Sequence, residues 1–296
     1  MKNSVVILLV LIISCNRTTE TDPVILQQAD FFKVIAANDI ALNEPREGEW
    51  RYMHKEPGQT FEQYKAANPI HPTSEMHEIY LAPIGKFSPQ EYKILTYTAE
   101  YLKAFFQLRV AIITPVSDSI IPAAARRMRA DGAEQLLAPY ILDSILKHRQ
   151  PVKAIVLMAI TEKDLYPKND WNYIFGLASY HDRIGVSSIK RLYHNLNDSA
   201  NFKQCLSRMI SVTSHEIGHM FSLQHCINAK CVMNGSNSLE ETDTQPNRLC
   251  AECLKKLYWN FRFDNKARLK ALLEYFQQHA LERDYLLMKA DYANIK

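Results

Sequence analysis

The sequence predicts an α/β domain built on a mixed sheet, and three observations carry that reading. Apolar runs of strand length alternate with longer segments whose apolar residues recur at helical spacing, the pattern of helices packed on a sheet. Two short runs, 173–179 and 185–189, read as two further strands close enough to form an antiparallel pair. A long helical pattern over 202–220 carries histidines one turn apart on one face.

The elements follow in order. A short helix is expected over 30–37, and the proline-rich stretch 68–72 reads as a loop. Residues 78–82 form the first regular strand. Ser88-Pro89-Gln90-Glu91 then marks a helix start: Ser88 caps, Pro89 suits the first helical position and Glu91 completes a capping box. That helix runs through Phe106. Residues 109–113 read as a strand, 132–147 as a helix and 154–160 as a buried strand. A single amphipathic helix is expected over 266–287, with Leu269, Leu272, Leu273 and Phe276 on one face.

The chain has 296 residues, of which 47% are hydrophobic, enough for one substantial core with appendages. A net charge of +3 with no basic run of interleaved aromatics argues against a nucleic-acid partner. Residues 1–14 read as an export signal: a positive start, then an apolar run from Val5 to Ile13 too short to span a membrane. Ile12-Ile13-Ser14-Cys15 resembles a bacterial lipobox, so Cys15 is the expected lipidated residue; an ordinary cleaved signal is the alternative. The expected location is the bacterial cell envelope, outside the cytoplasm, with a polar tether over 15–27 and an N-terminal segment over 28–76.

The chemistry concentrates in His215-Glu216-Ile217-Gly218-His219-Met220-Phe221-Ser222-Leu223-Gln224-His225. His215 and His219 lie one turn apart and present two imidazoles to one metal. Glu216 beside them is placed to take a proton from a metal-bound water. His225 suits a chain that leaves the helix and turns back beneath the metal, and three imidazoles plus a water make the open site of catalytic zinc. Cys226 and Cys231 together with Cys250 and Cys253 suit a second, four-thiolate zinc site. In an oxidising compartment the same four could instead form two disulfides. Met233 lies between the cysteine pairs, before a turn-forming Asn234-Gly235.

These residues resemble the archaemetzincin family of metzincin zinc peptidases, in which a cysteine of a structural zinc site directly follows the third zinc histidine. The similarity covers roughly 80–260 and includes the segments starting Ile79-Tyr80-Leu81-Ala82, Thr161-Glu162-Lys163-Asp164, Trp171-Asn172-Tyr173-Ile174 and Gly235-Ser236-Asn237-Ser238. The resemblance implies a metzincin-like catalytic domain over 77–262, with a mixed twisted sheet, an active-site helix and a C-terminal helical extension over 263–296. It implies two zinc ions: a catalytic one on His215, His219 and His225 with Glu216 as base, and a structural one on Cys226, Cys231, Cys250 and Cys253. Met233 would be the Met-turn, and an edge strand near 185–188 would hold an extended peptide. The implied reaction is hydrolysis of a peptide or protein substrate by Glu-assisted attack of a zinc-bound water.

One departure stands at Ser222, where the family motif has glycine. If the turn there is left-handed, serine costs about 1 kcal/mol or more. Ser222 leans toward a rival reading, a non-catalytic zinc-binding lipoprotein that recognises peptides or partners; Glu216 leans against it. The remaining residues have plainer readings. His54, His71, His77, His148, His181, His194 and His279 read as surface or loop, Trp50, Trp171 and Trp259 as core, Arg126-Arg127 as a solvated helix edge, and Cys205 as a small core residue.

Overall fold

In the computed structural model, residues 22–293 and Ile295 are described. Cys15 and the leader read as an export signal lie outside the described residues. Alternation along the strands builds two cores from one sheet. Five strands, β1 (Glu78–Ile84), β2 (Arg109–Ile112), β5 (Ala154–Thr161), β7 (Gly176–Ser179) and β8 (Ile184–Ser188), lie in the order β2-β1-β5-β8-β7. All neighbours are parallel except β7, which runs antiparallel to β8. Val156, Met158 and Ile160 of β5 enter the larger core, while Leu157 and Ala159 enter the smaller one on the opposite face, as period-two geometry dictates.

The larger core is covered by α5 (Pro89–Phe106) and α7 (Ser199–Met220), with α9 (Ala251–Phe261), α10 (Asn265–Gln278) and α11 (Glu282–Ala293) beyond them. The capping box read at Ser88 and Glu91 is formed in both directions. Where 132–147 reads as one helix, the chain instead makes β4 (Glu134–Leu137), then one turn of α6 (Ala138–Tyr140) that loosens into wider and tighter turns through His148. Strand wins because Gly132, at φ 81°, closes a hairpin with β3 (Arg126–Met128), and β4 also pairs with β6 (Asp164–Tyr166). Arg126 and Arg127 are therefore strand residues rather than a helix edge. Arg126 pairs with Asp118 and Glu134, and Arg127 lies over the Tyr166 ring while donating to three backbone carbonyls.

The single helix expected over 266–287 is two, α10 and α11. Ala280 at φ 52° and the bond from Leu281 N–H to Phe276 O close α10 in a Schellman geometry. Alanine stands where glycine usually signals such a stop, so the sequence carries no warning of the break.

The N-terminal segment is folded onto this domain. It contributes α1 (Pro23–Leu26), α2 (Ala29–Ala37), α3 (Trp50–Met53) and α4 (Phe61–Ala66). The part of the expected tether that is described is thus structured: Ile25 is buried and Asp22 accepts from the Trp259 indole. Buried Arg248 joins the N-terminal segment to the last helix, contacting Asp39 on one side and Asp291 on the other.

Candidate metal centre

Asp198 caps α7 by accepting from Asn201 N–H at 2.8 Å, and the helix runs 22 residues before the chain turns sharply. The turn is left-handed. Ser222 sits at φ 64°, its N–H bonds to His219 O, and Leu223 N–H reaches Gly218 O at 3.1 Å. The strain expected of a serine in glycine's place is real, and the surroundings hold it. Gln59 donates to Ser222 O at 2.9 Å and accepts from Gln224 N–H at 3.3 Å, bracing the turn on both sides.

This turn returns His225 to the two helix histidines. One ring nitrogen from each of His215, His219 and His225 lies within 4.8 Å of the others, with the Nε2 atoms of His215 and His219 2.9 Å apart. The opposite nitrogens are all occupied. Nδ1 of His215 bonds Val232 O at 2.8 Å, Nδ1 of His219 bonds Leu223 O at 2.6 Å, and Nδ1 of His225 lies 2.8 and 3.0 Å from the Glu56 carboxylate oxygens. A carbonyl can only accept, so Nδ1 carries the proton on the two helix histidines and Nε2 is left to donate its lone pair to a cation. Burial pushes the pKa of His215 down to about 4 and that of His219 well below its usual value, keeping both neutral as metal ligation requires.

Around this triad the walls are specific. Tyr180, in the β7–β8 turn, stacks on the His219 ring at 5.2 Å. Met233 is fully buried beneath the helix: a Cβ at Gly218 would meet its sulfur at 2.5 Å, so glycine between the two ligands is what lets the methionine sit there. Glu216 lies against β7, where a Cβ at Gly176 would meet its Oε1 at 2.8 Å, and burial pushes the Glu216 carboxyl up to about 8. A cleft of about 650 Å³ opens over the triad, walled by β7 and Tyr180 and by Trp50, Trp171, Tyr173, Ser236, Asn237 and Gln245.

The second cluster is welded to the first. Cys226, Cys231, Cys250 and Cys253 are buried and free, and their sulfurs all lie within 4.8 Å of one another. Cys226 N–H donates to Met233 O at 2.7 Å. Asn234, also buried, accepts from Cys231 N–H and donates to Cys226 O and Ala229 O. The three neighbouring sulfurs, Cys231 first, hold the Cys226 thiol below its ordinary pKa. Four convergent sulfurs at these distances fit a tetrahedral metal site.

Several sequence readings change here. Strand β8, expected to be an edge, lies inside the sheet between β5 and β7; the free edge facing the cleft is β7. Trp50 and Trp171 are cleft walls instead of core, and Trp171 is 47% exposed. His279 is buried between the Tyr97 and Tyr275 rings rather than on the surface. Cys205 is core, as read. Glu56 and Gln59 escaped notice, Asn234 was read only as a turn former, and for Glu56 no spacing rule could help, since it meets His225 across 169 residues of sequence.

Several known proteins resemble this chain in sequence and fold. The model of Peptidase family M54 matches residues 135–258. Archaemetzincin-2 of Homo sapiens is 31% identical over 275 residues, covering 81% of this chain and 75% of that protein. Archaemetzincin of Pyrococcus furiosus is 32% identical over 180 residues, 60% of this chain and 91% of its own. The crystal structure of archaemetzincin from Methanopyrus kandleri matches with a TM-score of 0.53 at 26% identity, over 66% of this chain and 100% of that one. With a relative of that identity matched over three quarters of its length, the chain belongs to the archaemetzincin family of zinc metallopeptidases.

Proposed function

We propose that the chain cleaves peptide bonds in the cleft above His215, His219 and His225, with Glu216 as general base and proton carrier. The observation that carries this reading is the convergence of three imidazole nitrogens whose opposite nitrogens are all fixed by acceptors. Three neutral imidazoles with an open side fit zinc, which when bound supplies a Lewis acid for a peptide carbonyl and for water.

The chain's own residues do the rest. The edge of β7 offers unpaired backbone groups to an extended peptide, and aromatic walls exclude water from it. Glu216 takes the proton of the attacking water and passes it to the departing amine. Its carboxyl is suited to both halves, because burial raises its proton affinity and a bound cation would lower it again. Tyr180, stacked on the His219 ring, limits its rotation. A second zinc on the four cysteines would hold Cys226 and therefore the adjacent His225 in place.

Ser222 no longer favours a non-catalytic reading, since it makes the left-handed turn that returns His225 to the triad. Anchoring by a lipid on Cys15 in the cell envelope rests on the leader sequence alone, and mass spectrometry of the N-terminal peptide from the native host tests it. The reaction itself is tested by Glu216→Ala against a peptide library. Loss of cleavage with unchanged zinc content is the expected result, and cleavage at the wild-type rate would contradict it.

A further inference from the structure

Of the three histidines, two are held by their own neighbourhood. His215 and His219 stand on one helix, and their Nδ1 atoms are capped by carbonyls of the loop that follows it. His225 has left the helix, and its Nδ1 partner is the carboxylate of Glu56, far away in the N-terminal segment and outside the residues matched by the family model. A loop histidine needs an external constraint if its ring is to face the other two.

The stretch 49–60 supplies that constraint as a strap pinned at several points. Trp50 N–H is held by the Glu241 carboxylate at 3.0 and 3.2 Å. The Trp50 indole packs edge-on to the His225 ring at 4.8 Å, in space left by Gly235, where a Cβ would come within 2.6 Å of it. Its N–H donates to Glu56 Oε2 at 2.9 Å, so the carboxylate that meets His225 is itself oriented. At the far end Gln59 braces the Ser222 turn, and buried Lys256 donates to Gln59 O.

We infer that Glu56 is a positioning residue of the metal centre: its carboxylate orients His225 and strengthens it as a ligand, with Trp50 holding the carboxylate. The inference rests on the reading of the triad as a zinc site. A carboxylate behind a ligand imidazole raises its basicity and fixes its ring, and losing such a partner weakens metal binding about 10–100-fold. Trp50 also walls the cleft, so the strap joins substrate-facing surface to the metal ligand.

The test is zinc affinity, measured without substrate. The full chain, stripped of zinc, is titrated with Zn²⁺ against a chromophoric chelator, and His215→Ala defines the signal of the four-cysteine cluster alone. Glu56→Ala is expected to weaken the histidine site at least tenfold and leave the cysteine signal intact. Glu56→Gln should recover part of that loss. Its carbonyl oxygen, placed at Oε2, can still accept from His225 Nδ1 at 3.0 Å and from the indole at 2.9 Å, while its amide nitrogen has to swing away from the Oε1 position, 2.8 Å from Nδ1. Should Glu56→Ala fail to fold, Trp50→Phe keeps the packing and removes only the indole donor; a threefold or greater weakening supports the inference, and unchanged affinity overturns it. Glu56→Ala within twofold of wild type, or Glu56→Gln as weak as Glu56→Ala, overturns it as well. Wild type and His215→Ala titrating alike would instead overturn the zinc reading itself.

Discussion

Cys226 N–H donates to Met233 O at 2.7 Å, a bond that ties the cysteine cluster to the methionine beneath the helix histidines. Cys226 directly follows the third histidine, while Met233 lies under the helix that bears the first two. Movement in the cysteine knuckle is therefore transmitted to the triad from both directions.

The first prediction concerns that coupling. Cys253→Ser removes one of four buried sulfurs and should release the metal of the knuckle. Losing a structural metal site costs folding free energy directly. The variant should melt at lower temperature and retain less zinc on the histidines too, read by calorimetry and elemental analysis. Full retention of zinc on the histidines would show the two clusters to be independent.

A second prediction follows from Gly218. A Cβ there would stand 2.5 Å from the Met233 sulfur, which is fully buried. Gly218→Ala forces the methionine to move in a packed site, at a cost of about 1–3 kcal/mol. Denaturant unfolding should show it, together with faster zinc loss to a chelator.

Gly176 makes a different case, because its neighbours are functional. A Cβ there would meet Glu216 Oε1 at 2.8 Å and Ser187 Oγ at 2.9 Å. Gly176→Ala should displace the Glu216 carboxylate and lower kcat about 100-fold, as ångström-scale misplacement of a reacting group does. Some stability is lost too, because Ser187 is fully buried, so kcat is read on folded protein well below its melting temperature. A wild-type kcat would mean that Glu216 does not act from this position.

Ser222→Gly tests the strained turn. Relief of left-handed strain is worth about 1–2 kcal/mol, and the greater freedom of glycine in the unfolded chain returns about 0.5–1. A net gain of about 0.5–1 kcal/mol is expected from denaturant midpoints, with activity kept. Destabilisation would show that the serine side chain contributes something the φ angle does not reveal.

Residues that act locally were legible in the sequence. The spacing of His215, His219 and His225 foretold the triad, and Ser88 with Glu91 foretold the start of α5. Substituting Ser222 for glycine even foretold where strain would lie. Contacts closed by tertiary folding were not legible. Glu56 meets His225 only once the N-terminal segment has wrapped the domain, and its neighbours in sequence carry no motif. The break at Ala280 and the pairing of β4 with two partners likewise depend on packing that overrides local propensity.

The most direct test of the central claim is zinc per chain, by elemental analysis of the purified full-length protein and of its His219→Ala variant. Two zincs falling to one in the variant is the predicted result, with the remaining metal on the four cysteines. A zinc content that does not fall when His219 is removed would contradict it, since the triad would then hold no metal.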